Sequence, residues 1–335
     1  MRQPTLFELL RLPPPRSAAT GPGQLELYSY FAGAGGFCTG AAQAGCRVVW
    51  ACDACPLALE THRRNHPHTE HQCLRLPSRE AVARLPTDGR RFHVHASPPC
   101  VKVSSINRVN VTKGNEGARG HAESIATIAW CLDAMLGSEC TSWSMEQVAS
   151  PEVVAELERA RQRHPGRVAW MRLDLSLLGV PQVRTRLIAG SPRLVARLRS
   201  LACATRRRSV RSVIPRVRGT HVRHGRSANR GRLRLSRAPG ETKFHVLPMT
   251  WGDGCLPVDG PAHTVTGQHA LNWVSIRNGK AVDHCVMHPR ELAALQTFPD
   301  DYKLPVRKSD ACLQIGNAVP PLVARLLLEH ECAHS

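Results

Sequence analysis

Residues 93–105, HVHASPPCVKVSS, set Cys100 directly after Pro98 and Pro99 at the close of a strand-like run. An ionised thiol is a soft nucleophile, and two prolines stiffen the backbone that carries it. Those residue types can serve covalent catalysis. They can equally be a buried cysteine beside an ordinary loop, and the stretch alone leaves both readings open. A second stretch with chemical potential is residues 31–36, FAGAGG, where a first strand should turn into a first helix. Glycines there let the backbone approach a bound cofactor, and free amides at a helix start suit its polar groups. Asp53 ends the next strand, 20 residues after Gly33, a position from which a carboxylate can accept both ribose hydroxyls of a nucleoside cofactor. The pattern is not Gly-x-Gly-x-x-Gly and no P-loop Gly-Lys-Ser/Thr occurs, so nucleoside triphosphates recede and S-adenosylmethionine leads.

The elements that must position these residues alternate along the chain. Residues 25–31, 47–53, 92–96, 141–146 and 167–173 read as strands, and 37–45, 56–65, 121–136 and 151–162 as helices, with Pro56 suited to a first helical turn. Strands alternating with helices predict an α/β fold with a largely parallel sheet covered on both faces. Residues 1–24 mix Pro, Gly, Ser and Ala and read as a flexible lead-in. From about Arg193 the rhythm fails. Residues 206–237 hold many arginines and no Asp or Glu, and Gly and Pro then recur to about His288 around strand-like pieces at 263–267 and 272–276. Helical patterning returns at 289–298 and 320–331, which predicts a second domain set into the first.

Among 335 residues, 45 Lys and Arg face 26 Asp and Glu, a net charge of +19 with His neutral. Such a balance calls for a polyanionic partner, and no apolar run approaches a membrane span, which favours nucleic acid over a membrane. The 13 cysteines are scattered without a framework of pairs, which predicts reduced thiols in an intracellular compartment. Cys52 and Cys55 form a Cys-x-x-Cys without a second pair at zinc spacing, so no metal is expected. The 17 histidines read most simply as surface residues.

FAGAGG, SPPC, MEQV, VPQVRTR, RELAALQTFPDDY and QIGNAVPP follow one another in the motif order of the DNA cytosine-5 methyltransferases, and the chain resembles that family from about Leu25 to Leu328. The resemblance implies a Rossmann-like S-adenosylmethionine-dependent methyltransferase fold with an inserted, smaller target-recognition domain. Residues 25–192 and 289–335 would form the catalytic domain and 193–288 the target-recognition domain. It implies Cys100 as the nucleophile at cytosine carbon-6, Glu146 as the group that protonates ring nitrogen 3, and Arg186 as a donor to the pyrimidine oxygen. Phe31, Gly33, Gly35 and Asp53 would line the cofactor pocket, with Asn317 and Val319 closing it. The target base would be flipped out of double-stranded DNA. Pro99, Ser104, Arg184, Arg206, Arg207, Arg208 and Thr264 form the expected DNA-contacting set, Arg184 and Gln182 also supporting the site. Residues 101–120 would be a mobile loop whose Lys102, Arg108 and Lys113 meet phosphates.

Three departures stand out. Val101 replaces the family's Gln after the nucleophile, Gln147 replaces the Asn that braces the Pro-Cys turn, and no Asp lies near Gln72 to meet the adenine amino group. Two alternatives therefore stand beside DNA methylation: an RNA (tRNA) cytosine-5 methyltransferase, and a weak or inactive nucleic-acid-binding relative. At the N-terminus Gln3, Leu6 and Phe7 resemble the Gln-x-x-Leu-Phe peptides that dock on sliding clamps. A monomer is expected, in the nucleus of a eukaryote or the cytoplasm of a bacterium.

Overall fold

A computed structural model describes residues 24–99, 115–214, 243–248, 256–267, 271–277 and 280–333. The chain divides into two compact units. The larger holds the described parts of Pro15–Asp174, Thr185–Ala204 and Val323–Ser335; the smaller holds Leu175–Arg184 and the described parts of Thr205–Leu322.

In the larger unit, β1 (Glu26–Tyr30), α1 (Gly36–Ala44), β2 (Arg47–Asp53), α2 (Pro56–Asn65), β3 (Glu70–Cys73), α3 (Arg79–Ala83) and β4 (Phe92–Ala96) follow in turn. They continue into α4 (Asn115–Leu136), β5 (Ser142–Gln147), α5 (Pro151–Arg163), β6 (Ala169–Asp174), β7 (Thr185–Gly190) and α6 (Pro192–Ala204). The sheet runs β3-β2-β1-β4-β5-β7-β6, parallel except for β7, which is antiparallel to both neighbours. This is a Rossmann-like α/β sheet, as expected. The chain walks outward from β1 through β2 to β3, then returns to place β4 on the other side of β1. At such a reversal the loops leaving the two central strands diverge and open a crevice at their carboxyl ends. Tyr30, Trp50, Phe92, Trp143, Leu132 and Met135 are almost wholly buried in the core that supports it.

Periodicity placed most of these elements within a residue or two, with the following differences. The helix before β5 begins at Asn115 rather than at 121. The expected loss of rhythm at Arg193 is instead α6, whose Leu194, Val195 and Leu198 bury one stripe while the intervening arginines stay outside it. β3 and β7 escaped notice because one is short and polar and the other overlaps an arginine-containing motif.

The smaller unit contains α7 (Val210–Val213), a four-stranded sheet of β8 (Lys243–Pro248), β9 (Leu256–Pro257), β10 (Leu271–Arg277) and β11 (Lys280–Val286), and the helices α8 (Pro289–Leu295) and α9 (Lys308–Asn317). The sheet order is β11-β10-β8-β9, antiparallel throughout. α8 starts with a reciprocal cap. His288 accepts from the Arg290 amide, and Glu291 accepts from the His288 amide at 2.7 Å and from the Trp273 indole at 3.1 Å. Residues 263–267, expected as a strand, run as an irregular segment because their polar groups bond to side chains and loop carbonyls instead of a ladder. The last helix, α10 (Pro321–Ala333), follows α9.

The histidines correct the expectation of a surface role. His62, His93 and His95 are buried. Desolvation drives His93 down to about 3 and His95 well below its ordinary range. Desolvation likewise lowers His62 and His66 (to about 4), with neighbouring imidazoles second, and His71, with the Arg63 charge second. All five stay neutral in the fold but take up protons in the unfolded chain below about pH 6.5. The unfolded state therefore binds more protons in that window, and stability must fall as pH falls from 6.5 toward the folded values. Thermal midpoints measured from pH 7.5 down to 4.5 should drop, and His93→Gln should make the drop shallower. Equal slopes for the two proteins would exclude His93 as a contributor.

Candidate active site

The carboxyl ends of β1 and β4 flank the sheet's reversal, and both loops there carry residues singled out by sequence. After β1 the chain makes a tight turn: Phe31 and Gly33 both sit at φ 54° and Gly35 at φ 91°. The Ala32 amide donates to the Cys52 carbonyl at 2.9 Å, and the Gly35 amide to the Ala32 carbonyl at 2.9 Å. Asp53, at the end of β2, binds this turn directly. Its Oδ2 accepts from the Gly33 amide at 2.9 Å and its Oδ1 from the Cys55 amide at 2.8 Å. A Cβ on Gly33 would meet nothing within 4 Å, so the turn opens onto free space. An acidic side chain beside an open glycine turn at a helix start suits the polar groups of S-adenosylmethionine. Phe31, Gly33, Gly35 and Asp53 are thus brought together.

The loop after β4 is fastened from three sides. The Ser97 amide donates to the Tyr30 carbonyl at 3.4 Å. The Ser97 hydroxyl bonds His95 Nε2 at 2.7 Å. Gln147, fully buried at the end of β5, donates from Nε2 to the Pro98 carbonyl at 3.0 Å and accepts the Val148 amide on its Oε1 at 2.7 Å. The longer amide therefore spans the distance that a brace on the Pro-Pro turn requires.

Beside Gln147, Glu146 is 8 % exposed and lies 2.8 Å from Arg186 Nε, Oε1 to nitrogen. The contact is an ion pair by distance, with Oε1 buried and no hydrogen aligned on it. Arg186 also donates from Nη1 to the Thr185 carbonyl at 2.8 Å. A buried carboxyl group held by a guanidinium at the carboxyl edge of the sheet is suited to proton transfer at a bound heterocycle.

Sequence reasoning missed the polar column behind this loop. His93 bonds Ser142 through Nδ1 and Ser144 through Nε2, both at 2.8 Å. His95 bonds Ser144 through Nδ1 at 2.8 Å and Ser97 through Nε2. Its signal was legible: His at 93 and 95 and Ser at 142 and 144, two period-two patterns on adjacent strands.

The remaining described site residues lie in the smaller unit. Arg184 is buried, its Nη1 donating to the Val265 carbonyl at 2.9 Å and its Nη2 to the Gly316 carbonyl at 3.1 Å. Gln182 donates to the Leu295 carbonyl at 2.9 Å and accepts the Val265 amide at 2.9 Å. The half-buried Thr264 donates its hydroxyl to the Val183 carbonyl at 2.5 Å. Asn317 is exposed at the end of α9 and Val319 is buried. Arg206 and Arg207 are exposed, while Arg208 is half-buried along Gly179. Cys100, Lys102, Ser104, Arg108 and Lys113, the N-terminal Gln3, Leu6 and Phe7, and the basic run from 215 to 237 lie outside the described residues. Among the described residues no group of three or more His, Cys, Asp or Glu is arranged to hold a metal.

Comparison with known proteins places this geometry in context. The family model for C-5 cytosine-specific DNA methylases matches residues 251–331. The Type II methyltransferase M.HgiDI of Herpetosiphon aurantiacus is 26% identical over 310 residues, covering 90% of this chain and 93% of that protein. The Type II methyltransferase M1.HphI of Haemophilus parahaemolyticus is 25% identical over 346 residues, covering 91% and 86%. Among solved structures, the Entamoeba histolytica methyltransferase EhMeth superposes with a TM-score of 0.59 at 11% identity, covering 93% of this chain and 99% of that one, a likeness of fold.

Replacing Gln147 by Leu keeps the volume but orphans the Pro98 carbonyl and the Val148 amide. The cost should be about 1–3 kcal/mol, the scale for stranded buried polar groups, read as a lower urea midpoint at unchanged slope.

Proposed function

We propose that this relative of the DNA cytosine-5 methyltransferases transfers a methyl group to carbon-5 of a cytosine flipped out of duplex DNA. The observation that carries the reading is the buried pair of Glu146 and Arg186 beside Gln147, whose amide holds the turn that leads to Cys100. Cytosine carbon-5 is a weak nucleophile. Addition of the Cys100 thiolate at carbon-6 pushes electrons onto carbon-5. Glu146 eases that addition by giving a proton to ring nitrogen 3, and Arg186 donates to the ring oxygen. S-adenosylmethionine supplies the methyl group when bound, and Phe31, Gly33, Gly35 and Asp53 would hold it, with Asn317 and Val319. Loss of the carbon-5 proton to water, with the nitrogen 3 proton returning to Glu146, then expels the Cys100 thiolate and restores the ring.

The domain reading goes with this function: 25–192 and 289–335 carry catalysis, and 193–288 reads DNA after a lead-in of residues 1–24. Pro99, Ser104 and Thr264 would contact the DNA, with Arg184 supporting them from within the smaller unit. The net charge of +19 and the exposed Arg206 and Arg207 support a polyanionic substrate. Among the described residues no single helix is long and apolar enough to cross a membrane. Docking of the N-terminal peptide on a sliding clamp, a monomeric state, and a nuclear or bacterial cytoplasmic location complete the proposal.

Labelled methyl groups from S-adenosylmethionine should appear in duplex DNA, and not in RNA. Transfer to RNA alone, or to neither, would replace this reading with one of its two rivals. Cys100→Ala should abolish transfer while DNA binding persists, and Glu146→Gln should lose roughly 10²–10⁴-fold in rate. A separate expectation concerns salt. Arg206→Gln with Arg207→Gln should flatten the slope of log K against log salt by up to about 2, because each duplex phosphate contact contributes about 0.9. An unchanged slope and affinity would remove both arginines from the DNA interface.

A further inference from the structure

The column Ser142–His93–Ser144–His95–Ser97 has no part in the chemistry above, yet it ends on the loop that chemistry needs. We propose that it is a positioning device: His95, backed by Ser144, His93 and Ser142, fixes the Ser97 hydroxyl and with it the turn that leaves β4. The proposal rests on the methyltransferase reading of that site.

Four observations carry it. The first is cost. Val or Ile at 93 and 95 would fill these strand positions without desolvating anything, whereas two buried imidazoles are tolerable only when their nitrogens are satisfied. Each of the four nitrogens has a hydroxyl partner at 2.7–2.8 Å. The second is direction. A neutral imidazole donates once and accepts once, and Ser144 has one hydrogen to give, so it donates to at most one of the two rings and the tautomer of His95 sets the role of Ser97. Either Ser97 donates inward to His95, or it accepts from His95 and keeps its own hydrogen for the loop. Burial keeps both rings neutral, with His93 at about 3, so this directional state persists at neutral pH.

The third is clamping. Phe37 of α1 stacks on the His95 ring, centroids 3.3 Å apart and planes within 5°. The ring is therefore held by the helix that follows the glycine turn as well as by the hydroxyl of β5. The fourth is where the column ends. His93, His95, Ser142 and Ser144 are buried, while Ser97 is half-buried at the exit. There it shares the fastening of the turn with the Tyr30 carbonyl and Gln147. Nothing else in the column reaches the crevice, so its effect on the site passes through Ser97.

The test uses the full chain, duplex DNA and labelled S-adenosylmethionine, with kcat, both KM values and the thermal midpoint measured for each variant. Ser97→Ala removes the end of the column. His95→Asn keeps an amide near Nδ1 and loses the Nε2 contact; His95→Gln keeps an amide near Nε2 and loses the Nδ1 contact. Both cut the column once, but only the first releases Ser97. Ser97→Ala and His95→Asn should lower kcat about tenfold or more with KM values near wild type, as misplacement of a catalytic loop does. His95→Gln, which keeps the Ser97 contact but loses the backing from Ser144, should fall between wild type and His95→Asn in kcat, whatever its midpoint. Wild-type kcat in Ser97→Ala, or equal losses in the Gln and Asn variants, would overturn the positioning role. A wild-type chain that transfers no methyl group to DNA would instead overturn the reading on which the proposal rests.

Discussion

A Pro-Pro turn brings no backbone donors of its own, so the buried carbonyl of Pro98 must take a hydrogen bond from elsewhere. Gln147 supplies it from the neighbouring strand. That single requirement sets the geometry of the larger unit's working edge. It ties the end of β4 to the end of β5, and it fixes the amide at 147 in one orientation, since Oε1 is taken by the Val148 amide. With both ends of that amide occupied, Glu146, one residue earlier, presents its carboxylate on the other side of the strand, where Arg186 meets it.

The same device recurs across the sheet. At the carboxyl edge, a side chain near the end of one strand holds the loop of the next: Asp53 of β2 holds the glycine turn after β1, and Gln147 of β5 holds the turn after β4. Arg186 completes the series because β7 is antiparallel. Its beginning, rather than its end, lies at this edge, so a residue early in the strand reaches Glu146 late in β5. A fully parallel sheet would put the start of that strand at the opposite edge and leave Glu146 without its guanidinium. The single reversed strand is thus part of the site's construction and more than a detail of topology.

How much of this the sequence disclosed follows from how local each signal is. Strand and helix periods are local, and residues 47–53, 56–65 and 92–96 fall where the periods put them. The pairing of Gly33 with Asp53 is also nearly local, since it joins the first two strands through one crossover. Buried histidines are another matter. A polar residue in a strand looks exposed until its partner is known, and Ser142 and Ser144, the β5 partners of His93 and His95, stand 49 and 51 residues away. α6 was hidden because its arginines dominate a count of charge, although Leu194, Val195 and Leu198 mark its buried stripe. Gln147 carried an apparent defect that only distance could resolve: an amide one methylene longer still reaches the carbonyl it must hold.

The smaller unit shows why three motifs far apart in sequence occur together. Arg184 is a buried cation whose Nη1 donates to the Val265 carbonyl and whose Nη2 donates to the Gly316 and Ala318 carbonyls. Carbonyls offered to one guanidinium must come from segments held at fixed separation, and Gln296 supplies part of that hold, donating to the Ile315 carbonyl at 2.9 Å and the Ala318 carbonyl at 2.8 Å. The segments also have to come close. A Cβ at Gly316 would sit 2.1 Å from the Thr266 carbonyl carbon, so no residue with a side chain fits there while α9 keeps its place against 266–267. Removing any one of Arg184, Gln296 or Gly316 therefore disturbs the same junction. That shared burial, a structural demand independent of what the site transforms, brings residues 180–184 of VPQVRTR, Gln296 and residues 314–318 of QIGNAVPP together within the smaller unit.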